Sequence, residues 1–522
     1  MRREAMLQLI RERAEPWDMV VVGGGATGVG VAVDAASRGY AVLLLEASDF
    51  GKGTSSRSTK LVHGGVRYLQ QGDVSLVMEA LRERGILLRN APHLVHELRF
   101  VVPNYAWWEA PFYGLGMRVY DMLARKYSFG PSRNLSKDET LEAIPTLKRD
   151  GLRGGVQYFD GQFDDARLLI NLVQTAAEQG AAVLNYAPVT GFTRDDDGIL
   201  DGVRFTDAET GESHHAAARV VVNATGAFTD DVRRLDDPEA PPIIQPSQGV
   251  HVVLDRSFLP GDTAIMVPHT PDDRVMFAIP WLGRVVVGTT DTKIDRVSLE
   301  PTPQPDEVDF ILSTAGRYLA KPPTKADVLS VFTGIRPLVG RSGEGDTAKL
   351  SRDHTIRIER SGLLTVTGGK WTTYRHMAED AVNQAATLAG LDERDCVTRN
   401  LPIHGALDPD DYDGPAELAS YGSDAAALSR LAVDEPALAG DLHPDLPLQL
   451  TQVAWAARRE MARTVDDVLS RRTRCLLLNA DAAVEVAPAV AEGLARELGR
   501  DEAWQRQQVE AFTEIAAGYR AG

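Results

Sequence analysis

The chain has 522 residues, 43% of them hydrophobic and 25% charged, with a formal net charge of −18. That length holds two or three domains with sizeable cores, and so acidic a surface excludes nucleic acid as a partner held by general charge attraction. An anionic small substrate would need a local basic pocket working against the field of the whole protein. Cys396 and Cys475 form no motif and read as reduced thiols of a cytosolic protein. The opening stretch MRREAMLQLIRERAEPWD is charged and amphipathic and lacks the apolar core of a secretory signal. No run of about 20 residues is apolar enough to span a membrane.

Asp18 to Glu46 reads DMVVVGGGATGVGVAVDAASRGYAVLLLE. The apolar run 19–22 predicts a buried parallel strand, and Gly23, Gly25 and Gly28 then set a G-x-G-x-x-G spacing. In that pattern the first glycine makes the tight turn, the second lets a pyrophosphate approach the backbone, and the third lets helix and strand pack closely. A helix over 26–38 offers its N-terminal amides and dipole to that phosphate. Gly39 stops the helix, and 41–45 form a second strand. Glu46 stands at its end, where a carboxylate accepts the ribose hydroxyls of an adenine dinucleotide. A lone glycine pattern would be weak; the complete strand–helix–strand–acid unit predicts dinucleotide binding.

Residues 49–67, DFGKGTSSRSTKLVHGGVR, are polar and rich in Gly, Ser and Thr, as a loop wrapping a cofactor would be. Val74, Val77, Leu81 and Leu88 give 74–88 a helical spacing. The stretch 100–126 concentrates Trp107, Trp108, Phe112, Tyr113, Leu115 and Met117 and ends in Arg125 and Lys126. Aromatics with a basic end fit a helix lying in a membrane interface; a lid packed on the core fits as well. A helix over 165–178, a strand over 182–186 and an acidic turn at 195–198 follow. Strands at 203–205 and 219–222 lead into Asn223-Ala224-Thr225-Gly226, a small polar turn that a ligand can approach closely. Runs 246–254, 274–280 and 284–289 read as an antiparallel sheet, hence a second, interleaved domain for substrate. A strand at 363–367, Gly368-Gly369 and a helix over 370–386 repeat the strand–glycine–helix junction. Beyond an acidic linker at 408–413 the chain is rich in Ala, Leu and Arg and reads as a separate helical domain. No cluster has metal-ligand spacing, and no G-x-S-x-G elbow is present.

Taken together, these landmarks resemble the FAD-dependent glycerol-3-phosphate dehydrogenases from about Trp17 to Asp481. The motifs that carry the resemblance are VVVGGGATGVGVAVDAASRGYAVLLLE, GTSSRSTKLVHGGVRYL, FDDARL, VVNATGAFTD, VGTTDT, GIRPLV, LSRDHT, VTGGKWTTYRHMAEDAV and RRTRCLLLNADAA. The first and fourth are general to flavin oxidoreductases. The second, sixth, seventh and eighth, in this order, are far more specific. The resemblance implies an α/β fold: a glutathione-reductase-like FAD-binding domain (17–75, 150–235, 330–390) interleaved with a mixed or antiparallel-sheet substrate domain (76–149, 236–329), and a helical C-terminal domain over 401–522. It implies FAD held by Gly23, Gly25, Ala26, Thr27, Gly28, Glu46, Thr54, Ser55, Ser56, Lys60, His63, Gly64, Ala224, Thr225, Gly226, Gly369, Lys370 and Thr372. The implied reaction oxidises sn-glycerol 3-phosphate to dihydroxyacetone phosphate and passes the electrons to a quinone, in an enzyme lying peripherally on the cytoplasmic face of the inner membrane. A homodimer is compatible with it.

Such a site must clamp a phosphate, take the C2 hydroxyl proton and aim the C2 hydride at the flavin. Arginine suits the clamp because its planar fork matches phosphate oxygens. Arg336 sits between Ile335 and Pro337, an unusual place for a solvated arginine, and Arg352 lies in a turn before Asp353 and His354. Lys370 begins the predicted helix, where the dipole disfavours a cation and an anionic ligand would explain it. The resemblance puts all three near the substrate. His63, His251, His354 and His376 are candidates for the base; the resemblance favours His251 and puts His63 against the flavin, with Tyr374 as a further lining residue. An oxidase branch of the family passes electrons to oxygen and carries an insertion for which this chain shows no room. Two other classes stand as alternatives, an amine- or glycine-oxidase-like enzyme, whose carboxylate substrate needs fewer cations, and a non-catalytic FAD-binding module.

Overall fold

The computed structural model describes residues 1–65, 74–124, 127, 129–268, 270, 275–340 and 354–521. The glycine-turn unit lies at the centre of a six-stranded sheet. Its strand order is His354–Ile358, Leu364–Gly368, Val221–Asn223, Met19–Val22, Val42–Leu45 and Ala182–Leu184. The pairs from Leu364–Gly368 to Ala182–Leu184 are parallel, with Val20 beside both Val221 and Leu43. Strands covered on both faces read as continuous apolar runs, and MVVV and VLLL are buried throughout. Helix Ala26–Ser37 covers one face between helices Asp165–Glu178 and Tyr374–Leu388. That packing needs small residues: a Cβ on Gly30 would stand 2.9 Å from Cδ2 of Tyr374.

The second sheet has ten strands and is mixed. Thr263–Val267 runs parallel to Val95–Asn104, and the other pairs are antiparallel. Its longest ladder joins Ile244–Asp255 to Val328–Val339, with His251 opposite Phe332 and Ser247 opposite Arg336. The two-residue period of a strand sorts these side chains. Val250, Val252 and Leu254 face the core shared with helix Pro305–Tyr318, while Val253 and Phe332 face the C-terminal helices.

Sheet membership moves the expected domain boundaries. Leu61–Val62, Gly154–Phe163 and residues 330–339 of strand Val328–Val339, expected in the cofactor unit, pair in the large sheet. The C-terminal region is mainly helical, with helices such as Leu450–Arg459, Ala480–Leu498 and Glu502–Ala517, and it adds a small hairpin, Asp441–His443 with Leu446–Gln449. Its apolar residues pack against the large sheet, Leu476, Val486 and Leu494 clustering with Phe100, Ile279 and Phe332.

A buried charge cluster fastens that region to the cofactor loop. Arg471 Nε donates to Asp49 Oδ2 at 2.5 Å, and Arg472 donates to both Asp49 oxygens at 2.7 and 2.8 Å. Arg471 also binds Asp466 and Asp467, and Arg167 binds Glu460. Burial opposes the charge on Asp49, but the two guanidinium groups overcome it and hold its pKa below the usual carboxylate value. Removing one partner of a buried pair strands the other charge. Arg472→Met should therefore lower the unfolding free energy by about 3 kcal/mol, and Asp49→Asn combined with it should cost less than the two single changes summed. A denaturation midpoint unmoved by Arg472→Met would show that Asp49 does not depend on it.

Candidate active site

An elongated cavity of about 750 Å³ runs between the two sheets and is walled by both. At one end the glycine turn meets the end of the second strand. Gly23 has φ +111°, and a Cβ there would lie 2.7 Å from the carbonyl oxygen of Ala224, so only glycine makes this turn. Glu46 Oε2 accepts the amide of Gly24 at 2.6 Å, and Oε1 accepts the amide of Ser48 at 2.8 Å. Burial raises the Glu46 pKa, and those two amides partly restrain the rise. Gly25 caps helix Ala26–Ser37 without a side-chain bond, and Ser55 Oγ takes the amide of Ala26 at 2.9 Å. Amides of this kind form a ready anion seat.

The loop after Glu46 ties the two ends of the cavity together. Thr54 Oγ1 donates to the carbonyl of Ile335 at 2.6 Å, next to Arg336. Trp371 Nε1 donates to the carbonyl of Ser55 at 2.8 Å. His251, Arg336, Thr59, His63, Phe277 and Lys370 also line the wall. His251 is buried, its ring stacked on Phe332 and its Nε2 2.9 Å from Thr59 Oγ1. Burial lowers its pKa well below the usual histidine value, and Arg336 and Lys60 lower it further, so the imidazole is neutral. The Arg336 guanidinium is aimed by the carbonyls of Thr290 at 2.9 Å and Gln248 at 3.2 Å, by Thr289 Oγ1 at 3.2 Å, and by Asp291 at 3.4 Å. Gly249 makes room for it, since a Cβ there would stand 2.3 Å from Nη2.

Of the residues expected around a cofactor, Gly23, Gly25, Ala26, Thr27, Glu46, Thr54, Ser55, His63, Ala224, Thr225, Gly226, Gly369, Lys370 and Thr372 line this cavity. Four others do not, and packing explains each. Gly28 lies under the turn, where a Cβ would collide with the Gly23 carbonyl at 1.9 Å. Ser56 turns away to the carbonyl of Gly51. Gly64 gives its amide to the Tyr120 hydroxyl, itself bonded to Asp160. Lys60 is wholly buried, its ammonium 2.8 Å from both oxygens of Asp165 and from the Ser56 carbonyl, so it is structural rather than a ligand of the cofactor.

Among the residues expected at the substrate, Tyr374 is corrected in the same way, because its ring packs in the core against Gly30. Lys370 is not in a helix. It is extended (φ −146°, ψ 160°) ahead of the short turn Trp371–Thr373, and the helix starts at Tyr374. His354 bonds Asp380 and His376 lies between Glu79 and Glu379, both away from the cavity wall. Arg352 lies outside the described residues, as do Arg67, Arg125 and Lys126. Sequence reasoning missed Thr59 and Trp371. Each stood next to a lysine that drew the assignment, and nothing in the local spacing marks which of the two faces the cavity.

Residues 18–375 match the family described as FAD dependent oxidoreductase, and 396–505 match the C-terminal domain of alpha-glycerophosphate oxidase. The chain is 40% identical to the probable mitochondrial glycerol-3-phosphate dehydrogenase of Caenorhabditis elegans over 98% of this chain and 75% of that protein. It is 40% identical to the mitochondrial glycerol-3-phosphate dehydrogenase of Arabidopsis thaliana over 97% of this chain and 87% of that one. The crystal structure of the Bacillus halodurans glycerol-3-phosphate dehydrogenase complexed with FAD superposes with a TM-score of 0.81 at 29% identity, covering 99% of this chain and 97% of that chain. The FAD-bound L-alpha-glycerophosphate oxidase of Mycoplasma pneumoniae shares the fold at a TM-score of 0.56 and 18% identity, over 74% of this chain and 98% of that chain.

Glu46 already takes two amides, so a ribose hydroxyl would add a further bond to a charged acceptor. Glu46→Ala should weaken FAD binding roughly 10- to 100-fold, purify largely as apoprotein and regain activity with excess FAD. Wild-type flavin occupancy in that variant would take Glu46 out of the site.

Proposed function

This chain belongs to the FAD-dependent glycerol-3-phosphate dehydrogenases, and on that premise we propose that it oxidises sn-glycerol 3-phosphate to dihydroxyacetone phosphate. The observation that carries the reading is one cavity with two chemistries. The glycine turn and Glu46 line it, and so do His251, Arg336 and Lys370. The first set fits FAD: the N-terminus of helix Ala26–Ser37 for the pyrophosphate, a turn too tight for any residue but glycine at Gly23, and a half-buried carboxylate for the ribose. FAD bound there supplies the acceptor for the hydride that leaves C2.

The protein's own residues do the rest. Arg336, held by carbonyls and Asp291, presents a fixed fork to the phosphate, and Lys370 adds a second positive charge on the same wall. Burial chiefly keeps His251 from accepting a proton and the Arg336 charge adds to it; a dianion docked there offsets the Arg336 part, which favours proton uptake by the imidazole. The apolar wall of Phe277, Phe100 and Met266 excludes water from the reacting carbon. An amine-oxidase-like reading fits less well, because a carboxylate substrate does not call for these cations together.

For the electron acceptor we infer a membrane quinone, reached with the protein docked through helix Glu109–Ala124. Tyr113, Met117 and Tyr120 anchor that helix to the interior. Trp107 is 77% exposed, Leu115 67% and Met122 69%, with Trp108 and Phe112 beside them. A closed lid would bury those side chains, whereas an interfacial helix leaves them outward. Among the described residues no helix is long and apolar enough to cross a membrane.

A hydrogen bond to a charged group is worth about 1.5–3 kcal/mol, so Arg336→Ala should lower kcat/KM for glycerol 3-phosphate roughly 10- to 150-fold with FAD content near wild type. Arg336→Lys should recover part of the loss. Glycerol turnover, slow already, should respond far less; equal losses on both substrates would make Arg336 structural. Replacing Trp107, Phe112 and Leu115 with Ser should abolish co-sedimentation with anionic liposomes while activity with a soluble dye is kept. Wild-type protein that ignores such liposomes would end the membrane assignment.

A further inference from the structure

His251 reaches the cavity wall but is only 3% exposed there. Its ring stacks on Phe332 with centroids 4.7 Å apart and planes at 11°. Gly288 stands so near that a Cβ there would lie 2.4 Å from Cδ2. Nδ1 is buried and makes no hydrogen bond with any described residue. Nε2 is engaged by the Thr59 hydroxyl at 2.9 Å. An imidazole nitrogen offers one hydrogen-bonding direction in the ring plane, and Thr59 occupies the one at Nε2.

Thr59 lines the cavity beside His251. Its hydroxyl has one proton and two lone pairs, so it can donate to Nε2 and accept from a second hydroxyl together. Its neighbours hold it there. The Ser58 amide and hydroxyl both donate to Asp165 Oδ2, at 3.0 and 2.7 Å, and the Lys60 ammonium binds both Asp165 oxygens. Lys60 itself adopts φ +64°. One buried carboxylate thus clamps the residues on either side of Thr59 and aims its hydroxyl at the imidazole.

We propose that the Thr59 hydroxyl relays the proton from the C2 hydroxyl of glycerol 3-phosphate to Nε2 of His251. The proposal rests on the reading of His251 as the base. As the C2–H bond breaks, its electron pair leaves with the hydride to the flavin, and the C2–O bond becomes a carbonyl. The C2 hydroxyl proton passes to Thr59 Oγ1 while the proton of Thr59 passes to Nε2. Thr59 ends neutral with a new proton, His251 carries one positive charge, and the ketone is formed. Asp165 and Lys60 touch neither substrate nor flavin and act as positioning residues.

The test is anaerobic flavin reduction by glycerol 3-phosphate, followed by stopped flow in proteins matched for FAD content. Thr59→Val keeps the shape and removes the hydroxyl; its reduction rate should fall about 100-fold, the lower range of general acid–base effects, with substrate affinity near wild type. Thr59→Ser should stay close to wild type and keep the solvent deuterium isotope effect expected of two protons in motion. Thr59→Ala, which also lacks the hydroxyl, makes the same comparison should valine impair flavin loading, and it should be slow too. His251→Asn should be slow whatever residue stands at 59. Rapid reduction in both hydroxyl-free variants with slow reduction in His251→Asn would overturn the relay and leave His251 as a base in direct contact. Rapid reduction in His251→Asn would overturn the base assignment itself.

Discussion

The carboxylate of Asp49, buried between Arg471 and Arg472, is the contact on which the site depends. It lies three positions beyond Glu46, in the loop that continues to Ser55 and Thr59. Two arginines from the far end of the chain therefore hold the segment that carries Glu46, caps the glycine-turn helix through Ser55 and presents the Thr59 hydroxyl to His251. An unpaired charge so deeply buried would cost several kcal/mol, which makes the docking of the C-terminal helices and the order of the cofactor loop one event. Those helices also share an apolar core with the large sheet, and so brace the strands that carry His251 and Arg336.

Electrostatics explains how an acidic protein handles an anionic substrate. The net charge of −18 acts over the surface and is screened within about 10 Å at ordinary salt. Inside the cavity the balance is local. Lys60 pairs with Asp165 and Arg84 with Asp160, while Arg336, itself paired with Asp291, and Lys370 bring positive charge to the lining. Burial, and after it the positive charge of Arg336 and Lys60, depresses the basicity of His251. In the function proposed above, a phosphate dianion offsets the Arg336 part of that field and so couples proton abstraction to occupancy of the site.

Much of this was legible in the sequence where the signal is local. The glycine turn, its helix and the acid at Glu46 are fixed by spacing over a few turns of chain, and strand 19–22 and helix 165–178 lie where their patterns put them. Long-range pairing was not legible. The two-residue strand Leu61–Val62 and the glycine-rich strand Gly154–Phe163 have no periodic signal of their own, and their membership of the large sheet is decided by partners distant in sequence. Lys60 was misread for the same reason. A lysine in a polar loop looks like a ligand of the cofactor until Asp165, more than a hundred residues away, takes its charge. Tyr374 followed a glycine junction, and only the packing of Gly30 beneath its ring shows that it serves the core.

The central claim is that one cavity holds FAD and glycerol 3-phosphate together and moves the C2 hydride between them. Its most direct measurement is the visible absorbance of the FAD-loaded protein under anaerobic conditions, titrated with glycerol 3-phosphate. The account predicts stoichiometric bleaching by glycerol 3-phosphate, very slow bleaching by glycerol, and none by glycine. Yellow protein that stays unbleached by glycerol 3-phosphate, or that bleaches with glycine instead, would contradict it.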